Sequence, residues 1–380
     1  MLALMVLLCL IGADALWRPT SLPDAVARWP VLSREPDWGT MRVLDQGLIP
    51  MPPNTPAAHA SSLLALPPDQ PAALAAFWFA GKRESAPDVQ IAMAWFDRAR
   101  QQWSPAHMVI ERHVLARALG FGVRRLGNPV AWLDAHGRVH VFVVATGAGG
   151  WAAGRVAHLR QEEAAPVGPD FRLQVQGVLP LSWMWNISML VRTAPLQLQD
   201  GGMMLPVYFE LGSKYPLVVR IDADGNLRAL TRISASGHAL QPALLPIADR
   251  QWLALMRDRR RHGHITAART DDGGLHWADL PDLALNNPNS AVATLALSPR
   301  HLLLAHNPLP ASRQRLDLSA SADGEHWQSL RALAQGQSGD EYSYPALTWA
   351  DGSVWSSYTH QRRAIAWQRL GWGAETGLAP

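Results

Sequence analysis

Apolar residues fall in short runs bounded by Gly, Pro and Asp, and one unit recurs along the chain: an apolar strand, a turn, and a second apolar strand. The copies join 61–66 to 76–79, 130–133 to 139–144, 195–198 to 203–209, 243–245 to 252–255, 293–297 to 302–305 and 346–349 to 354–358. Turn residues such as Asp200-Gly201-Gly202 and Asp351-Gly352 mark these units as β-hairpins. After most hairpins comes a third short strand and another turn, clearest at 265–277 and 315–327. Two hairpins in succession make a four-stranded antiparallel sheet. Six such sheets around an axis predict an all-β, six-bladed β-propeller, which leaves only short, protected edges. A pair of β-sandwiches is the main rival. A helical solenoid is disfavoured because the apolar runs are short and bounded by Gly or Pro.

Composition agrees with many strands and tight turns: 29 Gly, 29 Pro and 17 Trp in 380 residues, with only 17% charged. Acidic and basic residues nearly balance at a net charge of +3, so no nucleic-acid footprint is expected. A single cysteine, Cys9, excludes an internal disulfide and a cysteine-rich metal site. No clustered ligand spacing is visible either, so neither a metal nor another cofactor is expected. The first apolar run, 1–13, is short for a membrane span and is followed by the small-x-small pattern Ala13-Asp14-Ala15. Residues 1–16 therefore read as an export signal or short membrane anchor, 17–54 as an N-terminal extension and 55–380 as the propeller. The protein is expected to be exported, periplasmic or secreted, or anchored at its N-terminus.

The phase of the blades nominates a site. The start of each inner strand and the end of the next lie at the same end of a blade, because the two are antiparallel. Residues just before the inner strands are His59, Asn128, Arg192, Gln241, Asn289 and Tyr344, and those closing the second strands are Arg83, Glu210, Arg257, Asn307 and His360. Polar groups at nearly every equivalent position, beside apolar strands, describe a lined central funnel.

Thr270-x-Asp272-x-Gly274-x-x-Trp277 matches the Asp-box, and Ser321-x-Asp323-Gly324-x-x-Trp327 is a version shortened by one. The Asp accepts turn hydrogen bonds, the Gly permits a left-handed backbone and the Trp packs the turn onto its blade, so these motifs staple outer hairpins. Together with the segments 77–89, 125–130, 200–210, 287–290 and 341–345, in that order, they make the chain resemble the sialidase (neuraminidase) superfamily, in particular its bacterial BNR-repeat branch.

That resemblance implies an exo-α-sialidase-type glycosidase acting on an acidic or other glycan. Asp88 would be the acid/base, Tyr344 the nucleophile and Glu210 its activating base. Arg83 and Arg192 would bind the anion, and His59, Asn128, Gln241, Asn289, Tyr342 and His360 would line the substrate. The sequence also departs from the family. His59-Ala60-Ser61 stands where the first carboxylate-binding arginine is expected, and Thr359 or His360 stands at a late glutamate. Arg220, Arg257 and Arg362 are the candidates for a third funnel arginine. The alternative is a non-catalytic propeller that binds glycan or protein through the same funnel.

Overall fold

The computed structural model describes residues 25–83, 86–182 and 186–372. They form six antiparallel blades in a closed ring. Blade 1 runs outward through Ala57–Ala65, Ala72–Gly81, Gln90–Asp97 and Gln102–Trp103. Blade 2 comprises Arg125–Leu133, Val139–Thr146, Gly154–Arg160 and Gln174–Val178. The eight-residue helix α1, Arg112–Leu119, bridges the two and ends at Gly120, whose φ of 70° lets the chain turn back. In blade 3 the inner strand is split into Met189–Val191 and Leu196–Gln197, both paired with Met203–Phe209, and Tyr215–Ile221 and Leu227–Arg232 lie outside them.

Blade 4 holds Ala239–Pro246, Trp252–Asp258, Thr266–Thr270 and Ala278–Leu280, and blade 5 holds Ala293–Ser298, His301–His306, Arg315–Ser321 and Gln328–Gln335. Blade 6 is assembled from both halves of the sequence. Tyr342–Ala350, Ser353–His360 and Ala364–Trp372 are completed on the outside by Met41–Leu48. Residues 41–48, which the sequence analysis places in an N-terminal extension, are thus part of the propeller. The proposed export signal or anchor at 1–16 lies outside the described residues. Among those residues, no helix is long and apolar enough to cross a membrane.

The core is divided among the junctions between neighbouring blades, because each sheet is apolar on both faces. The junction of blades 6 and 1 closes the ring and is filled by aromatics. Phe96 meets Trp355 edge-on at 4.8 Å, and Trp355 stacks on Trp367 at 5.5 Å. Arg98 adds a polar clasp at this seam, donating to both carboxylate oxygens of Asp351 and to carbonyls of the 66–72 turn.

Both Asp-boxes cap outer hairpins as expected. Asp272 Oδ1 accepts from the N–H groups of Leu275 and His276, and Asp323 Oδ1 from those of Glu325 and His326. Trp277 and Trp327 donate Nε1–H to the carbonyls of Gly274 and Gly324. On the same rim of the ring, the arm at 25–31 straps blades 3 and 4 to blade 6. Ala27 pairs with Leu198 and donates to Asp249 O at 2.8 Å, and Val31 O accepts from Trp349 Nε1. The arm borders a central cavity of about 610 Å³ between the inner strands.

Candidate functional site

The opposite end of the axis carries the predicted funnel, and a repeated backbone irregularity builds it. Pairing between inner and second strands slips at 59–62, 127–129, 240–243 and 343–346. At Ala60, Gln241, Asn289 and Tyr344 the backbone is left-handed, with φ between 50° and 57°. Non-glycine residues are strained in that region and hold it only where the surroundings enforce it. Each slip breaks the two-residue alternation of the strand, so the residues on either side of it no longer keep the same faces. Tyr342 and Tyr344 show the effect within one strand. Tyr342 packs into the core between blades 5 and 6, against Tyr358 and His360, whereas Tyr344 faces the axis.

Four blades meet at the Tyr344 ring. The imidazole of His59 lies 4.2 Å away, centroid to centroid. The guanidinium groups of Arg192 and Arg313 stand 5.1 and 6.0 Å from the ring centroid. Arg257 donates Nη1–H to the phenolic oxygen at 3.2 Å, Nε–H to Asn289 Oδ1 at 2.7 Å and Nη1–H to Gln241 Oε1 at 3.2 Å. Gln241 in turn donates to the Tyr208 hydroxyl at 3.2 Å. Tyr208 is driven upward, first by burial and then by the charge of Glu210, so its hydroxyl stays protonated.

Glu341 organises the other side. Its carboxylate takes Arg313 Nη1 at 3.1 Å, Arg362 Nε at 2.6 Å and the Ser343 hydroxyl at 2.6 Å. Burial alone would raise its pKa. The hydrogen bonds of Arg362 and Ser343, with the charge of Arg313, outweigh that and hold it at about 2. Arg313 also donates to Asn289 O at 2.5 Å, so two blades fix its direction. His59 is the exception in this bonded cluster: it is only 2% exposed, and neither ring nitrogen has a hydrogen-bond partner. Burial, reinforced by Arg362, keeps its pKa well below the usual range and the ring neutral.

The predicted residues separate into those at this cluster and those that serve elsewhere. Gln241, Asn289, Tyr344 and His59 are brought together. Arg192, expected as an anion clamp, is 2% exposed and donates to Ser61 O and Pro345 O, so it is a post beneath the Tyr344 ring tying blades 1, 3 and 6. Asn128 spends its Nδ2–H on Val191 O, joining blades 2 and 3. Asn307 does the same for blades 5 and 6, through Arg315 O and Tyr342 O. Tyr342 is core, and His360 lies edge-on against it. Arg220 pairs with Asp200 at the far end of blade 3 and is not a funnel arginine.

Arg83 is exposed at the rim, beside a crevice it shares with His59, Phe79 and Arg362. Asp88 is exposed on the same loop, where its carboxylate accepts from Lys82 N–H at 2.9 Å. Glu210 is held by Lys214 Nζ at 3.2 Å.

Arg313 and Glu341 are the residues that the sequence analysis passes over. Arg313 just precedes the third strand of blade 5, and Glu341 just precedes the inner strand of blade 6. A third strand starts at the same end of the blade where the second one finishes. Extending the phase argument by one strand would therefore have found Arg313. Among the described residues, no three His, Cys, Asp or Glu side chains are arranged so that they could hold a metal ion together.

The BNR repeat-like domain model matches residues 72–355, most of the chain. No curated protein matches at the level of sequence. Similar solved structures include a Hadza microbial sialidase, 14% identical with a TM-score of 0.66, covering 84% of this chain and 66% of that one. Trypanosoma rangeli sialidase, solved with sialic acid, is 13% identical with a TM-score of 0.62, covering 87% of this chain and 57% of its own. A Dyadobacter fermentans protein of unknown function, 12% identical with a TM-score of 0.66, covers 88% of this chain and is itself covered in full. This chain thus spans less than two thirds of the two sialidases, and at these identities the likeness is one of fold. The domain model matched over most of the chain, together with the ring of six blades and the two Asp-boxes, places the chain in the BNR repeat-like domain family.

Proposed function

We propose that the funnel binds a sugar bearing a carboxylate and hydrolyses its glycosidic bond, as an exo-α-sialidase-type glycosidase. The observation that carries this reading is the convergence of Arg257 and Arg313, from different blades, on Tyr344, one at its hydroxyl and the other over its ring. Two guanidinium groups held by neutral or acidic partners suit a planar anion, which they can grip through paired N–H groups. In this reading Arg257 and Arg313 hold the carboxylate while Tyr344 attacks the anomeric carbon. Asp88, on the rim loop, protonates the leaving oxygen and later activates water. Glu210 takes the phenolic proton, which requires its pairing with Lys214 to open.

A propeller that binds a carboxylated glycan without cleaving it is the second reading, favoured by that same Glu210–Lys214 pair. Fluorogenic sialosides and uronides, tested beside binding of the unlabelled sugars, separate the two. Hydrolysis requires turnover that Tyr344→Phe and Asp88→Ala abolish while binding survives. Binding lost in Arg257→Ala, with no turnover by the parent protein, supports the second reading. Absence of both overturns the proposal.

A further inference from the structure

Away from the funnel, three buried side chains of blade 2 form a hydrogen-bonded row. Asp134 Oδ2 lies 3.0 Å from His140 Nε2, and His140 Nδ1 lies 2.9 Å from His158 Nε2. Asp134 also accepts from the N–H groups of His136 and Arg138 and from Arg138 Nε. Burial works against its ionisation, but these bonds prevail and hold it at about 2, so it is an acceptor only. Burial keeps both imidazoles neutral.

The direction of the row follows. His140 donates Nε2–H to Asp134, so its Nδ1 must accept, and His158 must donate Nε2–H to it. The proton that His158 spends there leaves its Nδ1 as a bare acceptor. Among the described residues no hydrogen bond reaches that nitrogen, and it is not sealed from solvent. The ring itself is fixed, stacked on Phe142 at 4.6 Å and only 7% exposed.

His158 borders a groove of about 770 Å³ between blades 2 and 3, a size usual for small-molecule sites. Leucines such as Leu230 line it alongside the amides of Gln176 and Asn226. Its one arginine, Arg232, lies over the Tyr215 ring at 4.5 Å and donates to Ser234 O and Ala235 O. That arginine is a poor anion clamp, and a bare imidazole nitrogen repels an anion further. A neutral ligand with hydroxyl donors and an apolar face fits both kinds of wall.

We propose that this groove is a second site, separate from the funnel, for a neutral sugar unit, one hydroxyl of which donates a hydrogen bond to His158 Nδ1. The test is a titration of the full-length protein, labelled with ¹⁵N-histidine, with free lactose, cellobiose and N-acetyllactosamine. The expected result is an unprotonated Nδ1 at His158 in the free protein and a saturable shift of its signal with at least one of these sugars. Leu230→Trp, which fills the groove without touching the row, should weaken that binding about tenfold or more. Tyr344→Phe should leave the shift intact, so the outcome is independent of the funnel chemistry. A protonated Nδ1, no shift with any of these sugars, or an unchanged shift in Leu230→Trp would overturn the proposal.

Discussion

The His59 imidazole packs against the phenol of Tyr344 at 4.2 Å with its planes tilted by 56°, yet both of its nitrogens lack a hydrogen-bond partner. A buried polar atom left unsatisfied costs about 1–3 kcal/mol, so the ring is poorly suited to a purely structural role. His59→Phe keeps the packing and removes the nitrogens. Thermal denaturation should show a melting temperature equal to or above that of the parent. If those nitrogens meet the substrate, KM should rise about two- to tenfold, the worth of a neutral hydrogen bond.

Arg257 and Arg313 are expected to act on the substrate carboxylate. Replacing either by alanine removes charge-assisted hydrogen bonds worth about 1.5–3 kcal/mol, a loss of about 10- to 150-fold in kcat/KM for carboxylated substrates. The matching neutral glycoside should be affected far less. Equal losses on both substrates would speak against carboxylate recognition.

Glu341 is a positioning residue, since it holds Arg313 and Arg362. Glu341→Gln keeps its shape but not its charge. Steady-state kinetics should show a raised KM with kcat little changed, and Glu341→Asp should recover less than half of the loss. A fall in kcat alone would point to a direct part in the chemistry.

Stability should fall on acidification. His59, His140, His158 and His306 are all held below their usual pKa chiefly by burial, to about 4 for His306 and about 3 for His158. Below pH ~6.5 the unfolded chain takes up protons that the folded one refuses, so each histidine costs stability approaching about 1.4 kcal/mol per pH unit. The loss continues until the folded value is passed. Below the ordinary carboxylate range Asp134 and Glu341, both held at about 2, add to the decline. Urea denaturation from pH 7.5 to 5 should show it, and His306→Gln should flatten the slope by one proton.

The shortened Asp-box is a packing device with no slack. Gly324 has φ of 81°, and a Cβ placed there would stand 2.4 Å from Leu253 Cδ1. Gly324→Ala should cost stability by about 1–3 kcal/mol, through both backbone strain and overpacking, without changing substrate affinity. Chemical denaturation measures the first, binding the second.

The fold was legible because hairpins announce themselves locally, by apolar runs and turn residues. All six predicted hairpins are present, even in blade 3, where Arg192–Pro195 interrupts the inner strand. The site was legible only as far as strand phase reaches. Gln241, Asn289 and Tyr344 were nominated because each lies near the start of an inner strand, Gln241 and Tyr344 as its third residue and Asn289 four residues before it. Tyr342, two residues from Tyr344, was misplaced because a left-handed residue inside the strand resets which face follows, and no residue type announced it there. Arg192 looked like a clamp because charge is visible in a sequence, whereas the carbonyls of Ser61 and Pro345 that occupy it belong to other blades.

Blade 6 borrows its outer strand, Met41–Leu48, from the start of the chain and pairs it with Ala364–Trp372. During synthesis this early strand must wait for a partner made more than three hundred residues later. At ribosomal rates of about 5–20 residues per second, the delay is of the order of tens of seconds. Throughout that interval its backbone edge is open to other nascent chains, so the clasp that makes the finished ring durable also makes its birth dependent on protection.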